Sequence, residues 1–389
     1  MTSPTQTSLA QTTQIIQQGI DAGLHPGAQV CVYRDGECVA DLALGSTGIA
    51  DDARPLTPED LTLWLSAGKP ILVVALAQQV EAGVLCWDDP IAEWVPEFAQ
   101  RGKDPVTLRH ALTHTGGFRS VVFRYPQQTW EEAVAAVCHG RLEGGWEVGQ
   151  TAGYHPHSSW NILGRVLEIA TDQPLSQHLR RAVVEPMGLR DTWVGMPAEV
   201  LGEVADRLSG MTDTGKTPPR PTDMHTPAWI TGQRPGGNTY GPAAELARFY
   251  QSLLPLHPHA AADLPAPQQS PILQPETVAD LTRRHRRDTV DRTFRATMDW
   301  GLGFMVNNRR HDAANAAQHG EIGTPYNFGP HAGEQAFGHG GNQSSIGFAD
   351  PEHGLAVAVV FNGMPGEPAH QRRMHRVLTA LYRDLRLVP

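Results

Sequence analysis

Leu355-Ala356-Val357-Ala358-Val359-Val360-Phe361 is an unbroken apolar run with the length and β-branched content of a strand. Ile346-Gly347-Phe348-Ala349 precedes it, across a turn at Asp350-Pro351-Glu352-His353-Gly354. Near the other end of the chain, Gly27-Ala28-Gln29-Val30-Cys31-Val32-Tyr33 reads as a strand that turns at Asp35-Gly36 and returns over Glu37 to Leu44. Asp-Gly is the dipeptide of two-residue hairpins, and such a turn sets Cys38 opposite Tyr33, so Cys31 and Cys38 are not directly paired. Between these strand pairs the pattern is helical. Ile71, Leu72, Val74, Ala75 and Val80 give one apolar face, and Trp160, Leu163, Val166, Leu167 and Ala170 another, on a helix from Ser158 to Thr171. Further helices are expected over Gln14–Ala22, from Thr107 as cap to Leu112, over Ala243–Leu254 and over His370–Leu385, with a short helical turn capped by Thr57.

Strands at both ends and helices between them predict an α+β fold. One antiparallel sheet is built from both chain ends, flanked by the first and last helices, with a mostly helical inserted lobe. The expected division is residues 10–95 with 295–389 for the sheet lobe and 96–294 for the helical lobe, whose proline-rich stretches, Thr217–Pro221 and Pro255–Pro275, read as surface loops. A cleft between the lobes is the expected site.

The chain has 389 residues, 40% of them hydrophobic, with 31 Lys and Arg against 41 Asp and Glu. A formal charge of -10 argues against steering toward phosphate backbones or anionic lipid. The one basic cluster, Arg283-Arg284-His285-Arg286-Arg287, reads as a solvated face with local salt bridges. No stretch reaches the roughly 18 apolar residues of a membrane span. The start of the sequence lacks the basic and apolar segments of a signal peptide, and four cysteines without a CxxC pair suit free thiols in a reducing compartment. A cytoplasmic protein is expected, with neither a nucleic acid nor a membrane as partner.

The chemistry centres on Ser66-Ala67-Gly68-Lys69. On a helix, positions i and i+3 share a face, which sets an amine beside a hydroxyl. Serine is a poor nucleophile until a base takes its proton, and lysine serves once burial lowers its pKa. Alone, SxxK is a weak signal, because a helix-capping serine and a surface lysine give the same letters. A metal centre is the rival reading from the 18 histidines, with His155 and His157 close together and His110 and His114 at i, i+4, but His114 falls in the Thr-His-Thr-Gly-Gly turn, no Glu follows His110 as in HExxH, and such histidines more often cap or hydrogen-bond. No metal and no cofactor are expected.

The surrounding order sharpens the reading. Leu63-Trp64-Leu65-Ser66-Ala67-Gly68-Lys69-Pro70 is followed by Glu81-Ala82-Gly83-Val84-Leu85, Asp88-Asp89-Pro90 and Trp94-Val95-Pro96-Glu97-Phe98, then by Val106-Thr107-Leu108-Arg109-His110-Ala111-Leu112-Thr113-His114-Thr115-Gly116-Gly117. From about Gly27 to Phe361 this resembles the serine beta-lactamase-like superfamily of class C beta-lactamases, D,D-peptidases, family VIII carboxylesterase-like enzymes and acyltransferases. The resemblance implies Ser66 as nucleophile, with Lys69 and Tyr154 as the base system. It leaves open which of the two takes the proton. Tyr154-His155-Pro156 stands where the family has Tyr-x-Asn, and a phenol beside Lys⁺ is expected to be drawn toward phenolate. His339-Gly340-Gly341 stands where lactamases have Lys-Thr-Gly. His339, Gly340, Gly341 and His155 are thereby expected at the substrate, with a titratable imidazole replacing the permanent cation. The backbone N–H groups of Ser66 and Asn342 would form the oxyanion hole. Pro235-Gly236-Gly237 is read as structural.

Both changed positions move the expectation from beta-lactams toward esters or simple amides as the small-molecule substrate. A beta-lactamase or D-amino-acid peptidase, an acyltransferase of the same fold, and a non-catalytic penicillin-binding or sensor protein are the alternatives. An intact Ser, Lys and Tyr argue against the last.

Overall fold

The computed structural model describes residues 7–254, 271–320, 323–325 and 327–388. Strands β1 (Gly27–Arg34) and β2 (Glu37–Gly45) form the expected hairpin, and Asp35 and Gly36 both have positive φ, 50° and 90°, as its tight turn demands. Strands β3 (Arg286–Asp291), β4 (Ala296–Trp300), β5 (Met305–Val306), β6 (Phe337–Gly341), β7 (Ser345–Asp350) and β8 (Leu355–Phe361) complete one antiparallel sheet. Its order is β2-β1-β8-β7-β6-β5-β4-β3, so the two chain ends meet where β1 pairs with β8, Val30 facing Val359 and Val32 facing Val357.

The apolar run of β8 follows from its central place. Val357, Val359 and Phe361 pack toward α1 (Ala10–Asp21) and the last helix, sharing a core with Ile16, Met374, Leu378 and Leu381. Ala356, Ala358 and Val360 pack on the opposite face with Leu246, Ala247 and Tyr250. A strand buried on both faces has no polar alternation to show. Helices α2 (Pro70–Glu81), α3 (Ser158–Thr171) and α4 (Ala243–Gln251) build that second layer, and α5 (Glu367–Asp384) closes the chain against α1. The Asp384 carboxylate accepts from both the N–H and the hydroxyl of Thr12, each at 2.8 Å, which ties the first helix to the last.

Four local expectations change. The Thr57 segment is a turn rather than a helix, closed by the Thr57 N–H on Asp60 Oδ2 at 2.7 Å. Residues 286–291, read as part of the helical lobe and as a solvated basic face, form the edge strand β3, with Arg286 buried. Pro275 opens a helix, Pro275–Thr282, while residues 255–270 of the proline-rich stretch lie outside the described residues. Cys38 does lie opposite Tyr33, but a bulge after Val32 brings its Sγ within 3.9 Å of Cys31 Sγ, and all four cysteines are free. No helix of the described residues is long and apolar enough to cross a membrane.

One side chain links the sheet to the site. Gln29, on β1, donates to the carbonyls of Thr57 and Asp60 and accepts from the Thr62 hydroxyl and the Ala243 N–H. The segment that leads into Ser66 is thereby held against both the sheet and α4.

Candidate active site

Ser66 sits in a 3₁₀ turn, Leu65–Gly68, and α2 begins only at Pro70, at the first helical position. The sequence places the serine at the start of the helix itself; the structure places it just before. The difference favours the chemistry, because at three residues per turn positions i and i+3 eclipse. Lys69 Nζ is accordingly 2.7 Å from Ser66 Oγ.

The turn is held from three sides. The Trp64 N–H donates to Thr239 O at 2.9 Å, its indole N–H donates to Gly241 O at 2.8 Å, and its carbonyl accepts the Ser345 hydroxyl at 2.6 Å. Such over-determination sustains Leu65 at φ 50°, a conformation that costs a branched residue about 1–2 kcal/mol. Gly68 is required by contact, since a Cβ there would lie 2.1 Å from Thr239 Oγ1.

Lys69 is wholly buried. Its Nζ donates to Gly236 O and lies 5.5 Å and 5.4 Å from the ring centres of Tyr154 and Trp160. Burial holds its pKa well below the ordinary lysine value, which favours the neutral amine. The Pro235-Gly236-Gly237 loop thus supplies the carbonyl that orients the Lys69 amine, beyond the purely structural part read from its sequence.

Tyr154 is buried beside Ser66. Its ring lies between Phe294 and Trp300, with centroids at 5.0 Å and 5.7 Å, and His114 meets it edge-on at 4.8 Å. Burial pushes the phenol above its ordinary pKa; the neighbouring Ser66 hydroxyl opposes that rise and Asp291 adds to it. Both groups are therefore driven toward neutrality, as amine and phenol. This reverses the expectation of a phenolate beside Lys⁺, because desolvation outweighs their mutual field.

Strand β6 brings up the third element. A Cβ on Gly341 would lie 2.4 Å from Trp64 O and 2.1 Å from Ser345 Oγ, so the strand end rests directly on the turn that carries Ser66. Asn342 follows at the hairpin turn, and Gly340 lies in the buried strand. His339 is 2% exposed, its Nδ1–H donates to Gly340 O at 2.8 Å, and its ring meets those of Tyr154, Trp160 and Trp300. Burial, aided by Lys69, lowers its pKa to about 3. The expected titratable cation is a neutral imidazole. His155 is placed elsewhere than expected: fully buried, its Nε2 accepts the Phe118 N–H at 3.1 Å, and its ring packs on Phe118 and Trp146. Its ring is enclosed by these side chains, away from solvent.

The sequence gives no sign of Asp291. This buried carboxylate accepts the Tyr154 N–H at 3.0 Å and the N–H groups of Thr293 and Phe294 at 2.9 Å and 3.1 Å. Its other oxygen pairs with Arg286 at 3.0 Å. It fixes the Tyr154 backbone and the turn that lays Phe294 on its ring. Only burial distinguishes it from any surface aspartate.

Among the described residues, Asp288, Asp299 and His311 are spaced for a cation, but the Asp299 carboxylate is already bound by Arg284 at 2.9 Å and Arg310 at 2.7 Å. His110 serves in the capping box of the Leu108–Leu112 helix.

The chain is similar to known proteins over most of its length. The beta-lactamase family model matches residues 12–381. Esterase EstB of Burkholderia gladioli is 26% identical, over 87% of this chain and 88% of its own. Esterase/beta-lactamase LipL of Mycobacterium tuberculosis (strain ATCC 25618 / H37Rv) is 25% identical, over 86% of this chain and 77% of its own. The crystal structure of a family VIII carboxylesterase superposes with a TM-score of 0.75 over 97% of each chain at 24% identity, so the fold is shared. Ser66 and Lys69 in contact, Tyr154 beside them, and a match that runs nearly end to end make this chain a member of the beta-lactamase family.

Proposed function

We propose that this protein is a carboxylesterase that works through an acyl-enzyme on Ser66. The observation that carries the reading is a wholly buried lysine, driven toward its neutral form, 2.7 Å from the serine hydroxyl. Lys69 accepts the Ser66 proton as Oγ attacks the ester carbonyl. The N–H groups of Ser66 and Asn342 stabilise the oxyanion. The Tyr154 phenol, held protonated, donates to the departing alkoxide and is reprotonated from the Lys69 ammonium. Water then attacks the acyl-enzyme with Tyr154 and Lys69 in reversed roles and releases the acid. No metal or cofactor enters these steps.

Pro156 stands where a lactamase has the amide-holding asparagine, and the neutral His339 stands where it has a cation. A beta-lactam carboxylate therefore meets no fixed positive charge from these positions. His339, Gly340 and Gly341 are proposed to border the acyl group. The likeness to Esterase EstB supports the same choice, whereas LipL is named for both activities. The four free thiols support a reducing, cytoplasmic setting. The test is turnover of short-chain p-nitrophenyl esters beside nitrocefin. Ester turnover with little nitrocefin turnover is expected. Rapid nitrocefin hydrolysis would assign the protein to the lactamases.

The protonation states give a second expectation. The neutral amine is the active form, so kcat/KM should rise with pH through the Lys69 pKa, which lies well below the ordinary lysine value. The acid limb of the profile should therefore lie below the ordinary lysine range. Lys69→Arg should be inactive at every pH, because a guanidinium does not deprotonate. A pH–rate profile checks both; an acid limb in the ordinary lysine range, about 10.4, would contradict the buried-amine mechanism.

A further inference from the structure

Arg373, on α5, is 4% exposed and carries its guanidinium into the interior between α5, the end of β8 and the loop after α1. Its Nη1 donates to Leu24 O at 2.9 Å and to His25 Nδ1 at 3.1 Å. Burial and the guanidinium itself lower the His25 pKa to about 3, so the imidazole is neutral and accepts. The Arg373 Nη2 donates to Gly363 O and to Gln343 O, each at 2.7 Å, and its Cζ lies 4.0 Å from the centre of the Phe361 ring. A buried cation is costly unless its donors are matched. Three segments far apart in sequence supply these acceptors, and one of them, Gln343, follows directly on Asn342.

The Gly341–Ser344 turn joins β6 to β7 and closes with the Ser344 N–H on Gly341 O at 3.2 Å. Gln343 takes φ 50°, in the left-handed region that a residue with a Cβ keeps only where its surroundings hold it. Two bonds hold it here. Arg373 takes its carbonyl, and its side-chain Oε1 accepts the Gly366 N–H, at the start of α5, at 2.7 Å. Asn342 is exposed between two fixed neighbours: Gly341 rests on the Trp64 carbonyl, and Gln343 is clamped to α5. A hydrogen bond from a charged donor is roughly twice as strong as a neutral one, so the Arg373 bond is the stronger half of the clamp.

On the acyl-enzyme reading above, which gives the Asn342 N–H an oxyanion to meet, we propose that Arg373 is a positioning residue for the oxyanion hole. Through the Gln343 carbonyl it fixes the turn that presents the Asn342 N–H to the tetrahedral intermediate. Such a hole works by donors already aimed at the place where charge develops. A turn free to rock keeps ground-state binding and loses part of that aim, so the loss falls on the tetrahedral state.

Propylboronic acid, which adds to the Ser66 oxygen as a tetrahedral adduct, and butyramide, its planar counterpart, separate the two states. In Arg373→Lys an ammonium keeps the buried charge but lacks the fork that reaches Gln343, Gly363 and Leu24 together. Its boronic acid affinity, and its kcat for p-nitrophenyl butyrate per site titrated with a fluorophosphonate, should each fall about tenfold, with butyramide bound as in the parent. Gln343→Ala removes the other half of the clamp at a half-buried position and leaves the arginine cluster whole. It should give the same split at about threefold, as suits a neutral bond of half the strength. Unchanged boronic acid affinity and kcat in Arg373→Lys, or in Gln343→Ala where Arg373→Lys does not fold, would overturn the inference. So would an equal loss for butyramide, the mark of a merely structural change. A Ser66→Ala protein that binds the boronic acid as the parent does would instead remove the acyl-enzyme reading, and the role of Arg373 with it.

Discussion

Ser66→Ala should lower kcat/KM for p-nitrophenyl esters by roughly 10⁴-fold or more, while the protein stays folded. The acyl-enzyme route has one nucleophilic oxygen, and its removal leaves only binding and the oxyanion donors. The structure adds why the fold should survive. Ser66 is half-buried, and the turn around it is held by Trp64 and Ser345 rather than by the serine side chain. Lys69 keeps its bond to Gly236 O. A stability change within about 1 kcal/mol is expected, in line with loss of a single partly exposed hydroxyl. Turnover, covalent labelling by a fluorophosphonate followed by mass spectrometry, and circular dichroism read the three consequences separately. Labelling should vanish with turnover while the dichroism stays. A folded, active Ser66→Ala protein would remove the nucleophile assignment and every step built on it.

What the sequence discloses follows the range of the interactions. Hairpins, apolar runs and helix faces are local patterns, so β1, β2, β8 and α3 emerge with nearly their observed bounds. Ser66 and Lys69 are legible for the same reason: they are three residues apart and their contact is made within one turn. Charge states are not local. His339 is neutral because Tyr154, Trp160 and Trp300, from three distant segments, enclose it. Lys69 and Tyr154 are both pushed toward their neutral forms by the same apolar surroundings, which no motif spells out. His155 sits next to Tyr154 in sequence, yet its ring is turned toward Phe118 and Trp146. Strand β3 is hidden by its composition. An edge strand of Arg, Asp and Thr lacks the apolar alternation that marks a strand, and its register with β4 breaks between Arg286 and Thr289.

The buried pair on that edge strand carries the other large expectation. Asp291→Ala should destabilise the protein by about 3–5 kcal/mol, the usual result of stranding one member of a buried ion pair. Arg286 would keep its charge in a site 4% exposed, and the N–H groups of Tyr154, Thr293 and Phe294 would lose their common acceptor. Denaturant unfolding measures that loss. Asp291→Asn separates the two duties. An asparagine oxygen can still accept the backbone N–H groups, but its amide cannot accept from Arg286. Tyr154 should then sit less firmly under Phe294, and kcat should fall by about 10²-fold, as for a misplacement near 1 Å, with KM little changed. The split between kcat and KM is informative, because general loss of structure lowers the active fraction and is corrected by active-site titration. A fall in kcat that survives this correction identifies Asp291 as a positioning residue for Tyr154. An Asp291→Asn protein with full kcat per titrated site would show that Phe294 and Trp300 hold the tyrosine ring without help from its backbone.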